Sequence, residues 1–143
     1  MKINTLRFGE IDISEERVFE FVLPIIGFNE LKKFVILDIN KDSFFKWLQS
    51  VEDPELAFPI VSVFSMNVDY TLDLQDNVVE ALKIEKVENI LVMNIASIPQ
   101  DNPQGTTLNL LAPLIFNVEN QLAGQVVLSG SGYDISFPLF KKN

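Results

Sequence analysis

The chain has 143 residues, 48% of them hydrophobic, with eleven basic side chains against twenty acidic ones and a formal charge of −9. That length and composition suit one globular domain with a real core, and the acidity works against direct binding of nucleic-acid phosphate. Histidine and cysteine are both missing, which removes disulfides, thiolate chemistry, the usual zinc and haem ligand sets, and Ser-His or Cys-His machinery.

Met1 to Arg7 carries no apolar signal region, and no run approaches the roughly 18–20 apolar residues of a membrane helix. The expectation is a cytoplasmic protein with no membrane contact. From Leu6 to Phe21 short apolar pieces alternate, and Gly9-Glu10 reads as a tight turn or bulge between two strands. Pro24 and Gly27 mark a loop, and Leu31 to Ile39 holds the β-rich run Phe34-Val35-Ile36-Leu37.

Ser43 to Phe64 reads as strand, loop, strand: Phe44, Phe45, Trp47 and Leu48 first, then the acidic turn Glu52-Asp53-Pro54-Glu55, then Ala57 onward. Pro54 fixes its own φ and biases Asp53 away from helix, so the break falls there. Side chains on a strand alternate, so Phe44 and Phe45 cannot both enter one face; one is covered by another layer or by a partner.

One helix is expected, over Gln75 to Lys83. Asn77 stands at N-cap spacing from Glu80, and Val78, Ala81 and Leu82 share a face. Val87 to Ile98 returns to strand, and residues 99–105 form a loop bracketed by two prolines. Thr106 to Val118 is strand-like but interrupted at Pro113, which suggests an edge or a bulge. Glu119 to Ala123 turns the chain. Gly124 to Leu128 and Tyr133 to Phe140 read as the last strands, joined through Gly130-Ser131-Gly132. The sum is an all-β chain with one short helix, a barrel or a sandwich.

Chemistry is sparse. Gly130-Ser131-Gly132 lacks the third glycine and the strand-to-helix setting of a phosphate cradle and reads as a hairpin turn. No cofactor or metal site is expected. Glu52, Asp53 and Glu55 form the remaining cluster with acid–base potential, but a proline turn is a solvated place, so a partner-facing or merely soluble turn is the better reading. The net acidity has the same two readings: solubility, or a basic partner.

Five pieces in order carry a resemblance. Trp47-Leu48-Gln49-Ser50, Asp53-Pro54 and Leu56-Ala57-Phe58 resemble the WLQS-x-x-DP-x-LAF signature of the flagellar assembly factor FliW family. Phe21 with Gly27-Phe28, Asp69-Tyr70, Asn109-Leu110-Leu111-Ala112-Pro113-Leu114 with Asn117, and Gln125-Val126-Val127-Leu128 are similar to further elements of it. Val22, Pro24 and Ile26 depart from the early loop pattern, and Ser62-Val63 stands where that family commonly has Asp-Pro.

The resemblance implies a compact antiparallel β-barrel-like single domain over residues 1–143, cytoplasmic and non-enzymatic. It also implies two partners: flagellin, bound near its carboxy-terminal helical region, and the RNA-binding translational repressor CsrA. These compete, so that flagellin level feeds back on flagellin translation. Candidate partner contacts are Phe44, Phe45, Trp47, Gln49, Asp53, Asn109, Pro113 and Asn117. Candidate members of an acidic surface that excludes RNA are Glu52, Glu55, Asp69, Asp73 and Asp76.

Overall fold

Alternation of side chains builds the structure. In Val18–Leu23, Phe19 and Phe21 point into the core while Glu20 and Val22 face out, and Phe34 and Leu48 repeat the inward placement on the next two strands. A computed structural model describes residues 1–39, 43, 45–66 and 68–140. The strands are β1 (Lys2–Thr5), β2 (Gly9–Asp12), β3 (Val18–Leu23), β4 (Lys33–Leu37), β5 (Lys46–Ser50), β6 (Ala57–Val61), β7 (Ile90–Ser97), β8 (Thr107–Leu108), β9 (Leu114–Asn117), β10 (Leu122–Gln125) and β11 (Phe137–Pro138), with a single α-helix, α1 (Asp76–Ala81), among the described residues.

Seven strands close a ring in the order β7-β6-β5-β4-β3-β10-β9 and back to β7. Closure leaves the ring without a raw edge. Its interior holds Phe21, Phe34, Leu48, Ile60, Leu114 and Phe116, all shut off from solvent. Phe21 meets Phe34 edge-on at 5.1 Å and Phe116 at 5.7 Å, the arrangement aromatic quadrupoles favour. Each such side chain contributes roughly 1.5–3 kcal/mol by leaving water.

Two outer layers cover the ring. The β1–β2 hairpin buries Ile3 and Ile13 against Val35, Leu37 and Trp47. Helix α1 buries Val78 and, just beyond it, Leu82 against Ile115. With its inner face in the core and its outer face under the helix, β9 is buried at every residue. A third cluster, around Val61, Tyr70, Leu108 and Leu110, fills one end of the barrel, with the short β8 and β11 strands beside it.

The all-β reading with one short helix holds, with local corrections. The pairings are antiparallel except one: β10 runs parallel to β3, with a register shift at Ala123/Gly124. There the chains approach so closely that a Cβ on Gly124 would lie 2.6 Å from the Leu23 Cβ, so glycine is required. The first hairpin turns at residues 6–8 rather than at Gly9-Glu10; Gly9, at φ 71°, opens the second strand.

The turn after β9 ends at Gln121, so β10 starts two residues earlier than the expected strand, and only Phe137–Pro138 of the Tyr133–Phe140 run is paired. Pro113 sits buried in the gap between β8 and β9, not on an edge. Helix α1 begins at Asp76 with Gln75 in the cap position and no side-chain capping bond, so Asn77 is not the N-cap.

Candidate functional site

The residues of the strongest sequence signature meet at the turn between β5 and β6. Gln49 is fully buried, and its Nε2 donates to the carbonyl oxygens of Ser50 (3.0 Å) and Leu56 (3.1 Å), with those of Asp53 and Pro54 at 3.4 Å. The Ser50 Oγ accepts from the amides of Glu52 and Asp53. Glu52 Oε1 accepts from the amides of Lys32 (2.7 Å) and Lys33 (2.8 Å), and Asp53 Oδ1 from that of Glu55 (3.0 Å). The carboxylates of Glu52 and Asp53 are thus engaged by backbone amides, so this cluster braces a loop.

Trp47 anchors the N-terminal hairpin. Phe8 packs edge-on at 5.9 Å, the Arg7 guanidinium lies 4.1 Å above the indole, and the Leu6 amide donates to the Pro54 carbonyl at 2.8 Å. Phe45 is half-buried against the cluster at the barrel end, and Phe44 lies outside the described residues.

The second candidate segment is also mostly structural. Asn109 Oδ1 accepts from the Ala112 amide at 2.9 Å, closing the loop ahead of β9. Asn117, 1% exposed, donates from Nδ2 to the carbonyls of Leu82 (2.9 Å) and Lys83 (3.1 Å) at the end of α1. Gln49, Pro113 and Asn117 therefore have no surface to offer a partner, because each is enclosed by its own chain. Trp47, Asp53 and Asn109 keep partial exposure.

Sequence reasoning passed over a polar network at the barrel end. Tyr70 Oη donates to the Leu110 carbonyl at 2.6 Å and accepts from Asn94 Nδ2 at 3.2 Å, while Asn94 Nδ2 also reaches the Asn109 carbonyl at 2.8 Å. Burial pushes the Tyr70 phenol up to about 12; the nearby Tyr133 adds to the rise, and the Asn94 hydrogen bond opposes it. Tyr133 packs edge-on to Tyr70 at 4.8 Å.

Beside Tyr70 opens a groove of about 630 Å³. Phe64, Leu72, Leu74, Val79, Ile84 and Val87 contribute to its lining, and among the described residues no charged one does. Phe64 is 51% and Val87 80% exposed. Of the exposed Asp69, Asp73 and Asp76, Asp69 adjoins the lining residue Tyr70 in the chain, whereas Asp73 lines a separate cavity with Gln75 and Val126. Glu52 and Glu55 belong to the turn at the other end of β6. One acidic cluster thus precedes β6 in the chain and the other follows it. In the sequence Phe64 ends one strand-like run and Val87 begins another, and nothing there marks either as open to solvent.

Comparison with known proteins agrees across the whole chain. The family model described as FliW protein matches residues 2–139. The flagellar assembly factor FliW of Clostridium novyi (strain NT) is 39% identical over 142 residues, covering 99% of each chain. That of Caldicellulosiruptor saccharolyticus is 41% identical over 134 residues, covering 94% of this chain and 87% of the relative. A solved structure described as the crystal structure of the flagellar assembly factor FliW superposes with a TM-score of 0.91 at 36% identity, covering 99% of both chains.

Proposed function

The chain belongs to the FliW family, and from that premise we propose that it is a flagellar assembly factor that binds flagellin in the cytoplasm and antagonises the translational repressor CsrA. The observation that carries the reading is the full-length match to flagellar assembly factors, in sequence and in barrel geometry. The physical features support it. The chain is a non-enzymatic binding module in this reading: the acidic turn is engaged in bracing its loop, while an apolar groove lies open.

The charge of −9 supports an electrostatic mode of antagonism. An acidic protein docked beside an RNA site raises the cost of bringing phosphate near without filling the base pockets. The reach of that effect is about one Debye length, about 8 Å at physiological salt. The RNA and this protein need then share no contact residue on CsrA.

Calorimetry with purified flagellin and with CsrA tests the partners directly, and a gel-shift assay tests release of RNA from CsrA. Binding to both, with flagellin displacing CsrA, is the expected result. Absence of binding to either protein sinks the reading.

A further inference from the structure

The groove beside Tyr70 joins three features: a lining uncharged among the described residues, apolar side chains left in water, and acidic residues adjoining that lining in the chain. Its lining includes Phe64 and Val87, both more than half exposed, and the partly buried Leu72, Leu74, Val79 and Ile84. Contiguous exposed apolar surface with a polar border is the pattern of a docking site. Exposed acids stand next in the chain to its lining: Asp69 beside Tyr70, Glu80 beside Val79, Glu85 beside Ile84 and Glu88 beside Val87. Over residues 69–88 they face only two basic residues, Lys83 and Lys86.

We infer that this groove receives an apolar protein segment flanked by lysine or arginine, its apolar residues seated between Phe64 and Val87 and its cations over the adjoining carboxylates. The charge decides among occupants. A second copy of this chain would set those acids against a chain of net charge −9, and an anionic lipid surface or nucleic acid would meet the same repulsion. A small polar ligand needs converging polar groups within the pocket to orient it, whereas here the charges are held by residues outside the lining. An amphipathic segment with basic flanks satisfies both parts at once. The inference does not depend on the flagellar reading, because a synthetic peptide tests it.

The probe is a dye-labelled amphipathic helix of about four turns, with leucines on one face and lysines at both flanks, followed by fluorescence anisotropy. Two companions replace the lysines by glutamates or the leucines by serines. The protein variants are Val87→Asp and, as a control on the distant hairpin tip, Leu6→Asp; both positions are at least three-quarters exposed, so the fold tolerates them. The lysine-flanked peptide is expected to bind, more weakly as salt rises, and Val87→Asp to weaken it about tenfold or more while Leu6→Asp leaves it unchanged. No binding by the unaltered protein, equal binding of the glutamate-flanked peptide, or equal losses in the two variants would overturn the inference. So would sedimentation showing a dimer that Val87→Asp splits, which would give the groove to a second copy.

Discussion

Gln49 shows how one amide can define a turn. Four carbonyl oxygens, those of Ser50, Asp53, Pro54 and Leu56, lie within 3.4 Å of its Nε2, and that crowd of acceptors fixes which way the amide points. Gln49→Leu keeps the volume but removes the donor to the Ser50 carbonyl, while backbone amides still serve those of Asp53, Pro54 and Leu56, so urea denaturation should show a loss of about 1 kcal/mol. Gln49→Glu sets a carboxylate against the same oxygens and should cost more. A glutamate variant as stable as the leucine one would refute this account of the turn. Tyr70 gives a prediction in pH. Burial holds its phenol's proton up to about 12 in the folded chain, against about 10 for an ordinary tyrosine. The neutral phenol's contribution is complete below the unfolded value, then declines as pH rises from about 10 to about 12, because the unfolded chain releases the proton first. Stability measured at about pH 9 and about pH 11 should fall further for the natural chain than for Tyr70→Phe. Equal falls would show that Tyr70 does not carry the effect.

At the scale of elements, α1 ends in a left-handed residue that is not glycine. Lys83 has φ 53°, its amide donates to the Glu80 carbonyl, and the Ile84 amide donates to that of Val79, the paired bonds of a Schellman ending. Lys83→Gly relieves the strain of a Cβ there and should stabilise the protein by up to about 1 kcal/mol in chemical denaturation. An unchanged or lowered midpoint would count against it. The start of the same helix was less legible in the sequence. Asn77 and Glu80 have the spacing of a capping box, but Leu72 and Leu74 pack into the cluster beneath the helix and bring the chain round before Asn77 is reached. Strands with strong local alternation, such as β5 and β6 on either side of Pro54, were readable because the pattern and the break both lie within a few residues. Gln49 and Asn117 were misplaced as surface contacts for the opposite reason. A polar residue in an apolar run looks like an exposed one until the carbonyls it serves, seven residues on at Leu56 or 35 back at Leu82, come into view.

For the whole molecule, the distribution of acid matters more than its amount. One acidic cluster precedes β6 in the chain and the other follows it, and screening confines the reach of each to about one Debye length, about 8 Å at physiological salt, so a neighbouring RNA site can meet one without the other. If CsrA is antagonised by exclusion, the ratio of its RNA affinities without and with saturating antagonist should shrink as salt rises. Lysine at Asp69 and Asp73, or at Glu55, should lower that ratio in one case only, provided docking survives. Equal effects from both ends, or a ratio indifferent to salt, would discard exclusion at a distance. The parallel contact of β3 with β10 has a consequence of another kind, in the order of manufacture. Phe21 faces Ala123 across that seam, and β9, which pairs with β10, also joins β7. A ribosome that has made everything through β7 has therefore produced a five-stranded sheet, β3 to β7, with two unpaired flanks and nothing to fill the gap. The β9–β10 hairpin supplies both missing neighbours in one step, after the other five strands of the ring have been made. Loop-closure entropy over about a hundred residues makes that step slow. A chain interrupted before Leu114 is left as an open sheet with sticky margins, so truncated products should be found in aggregates rather than as smaller barrels.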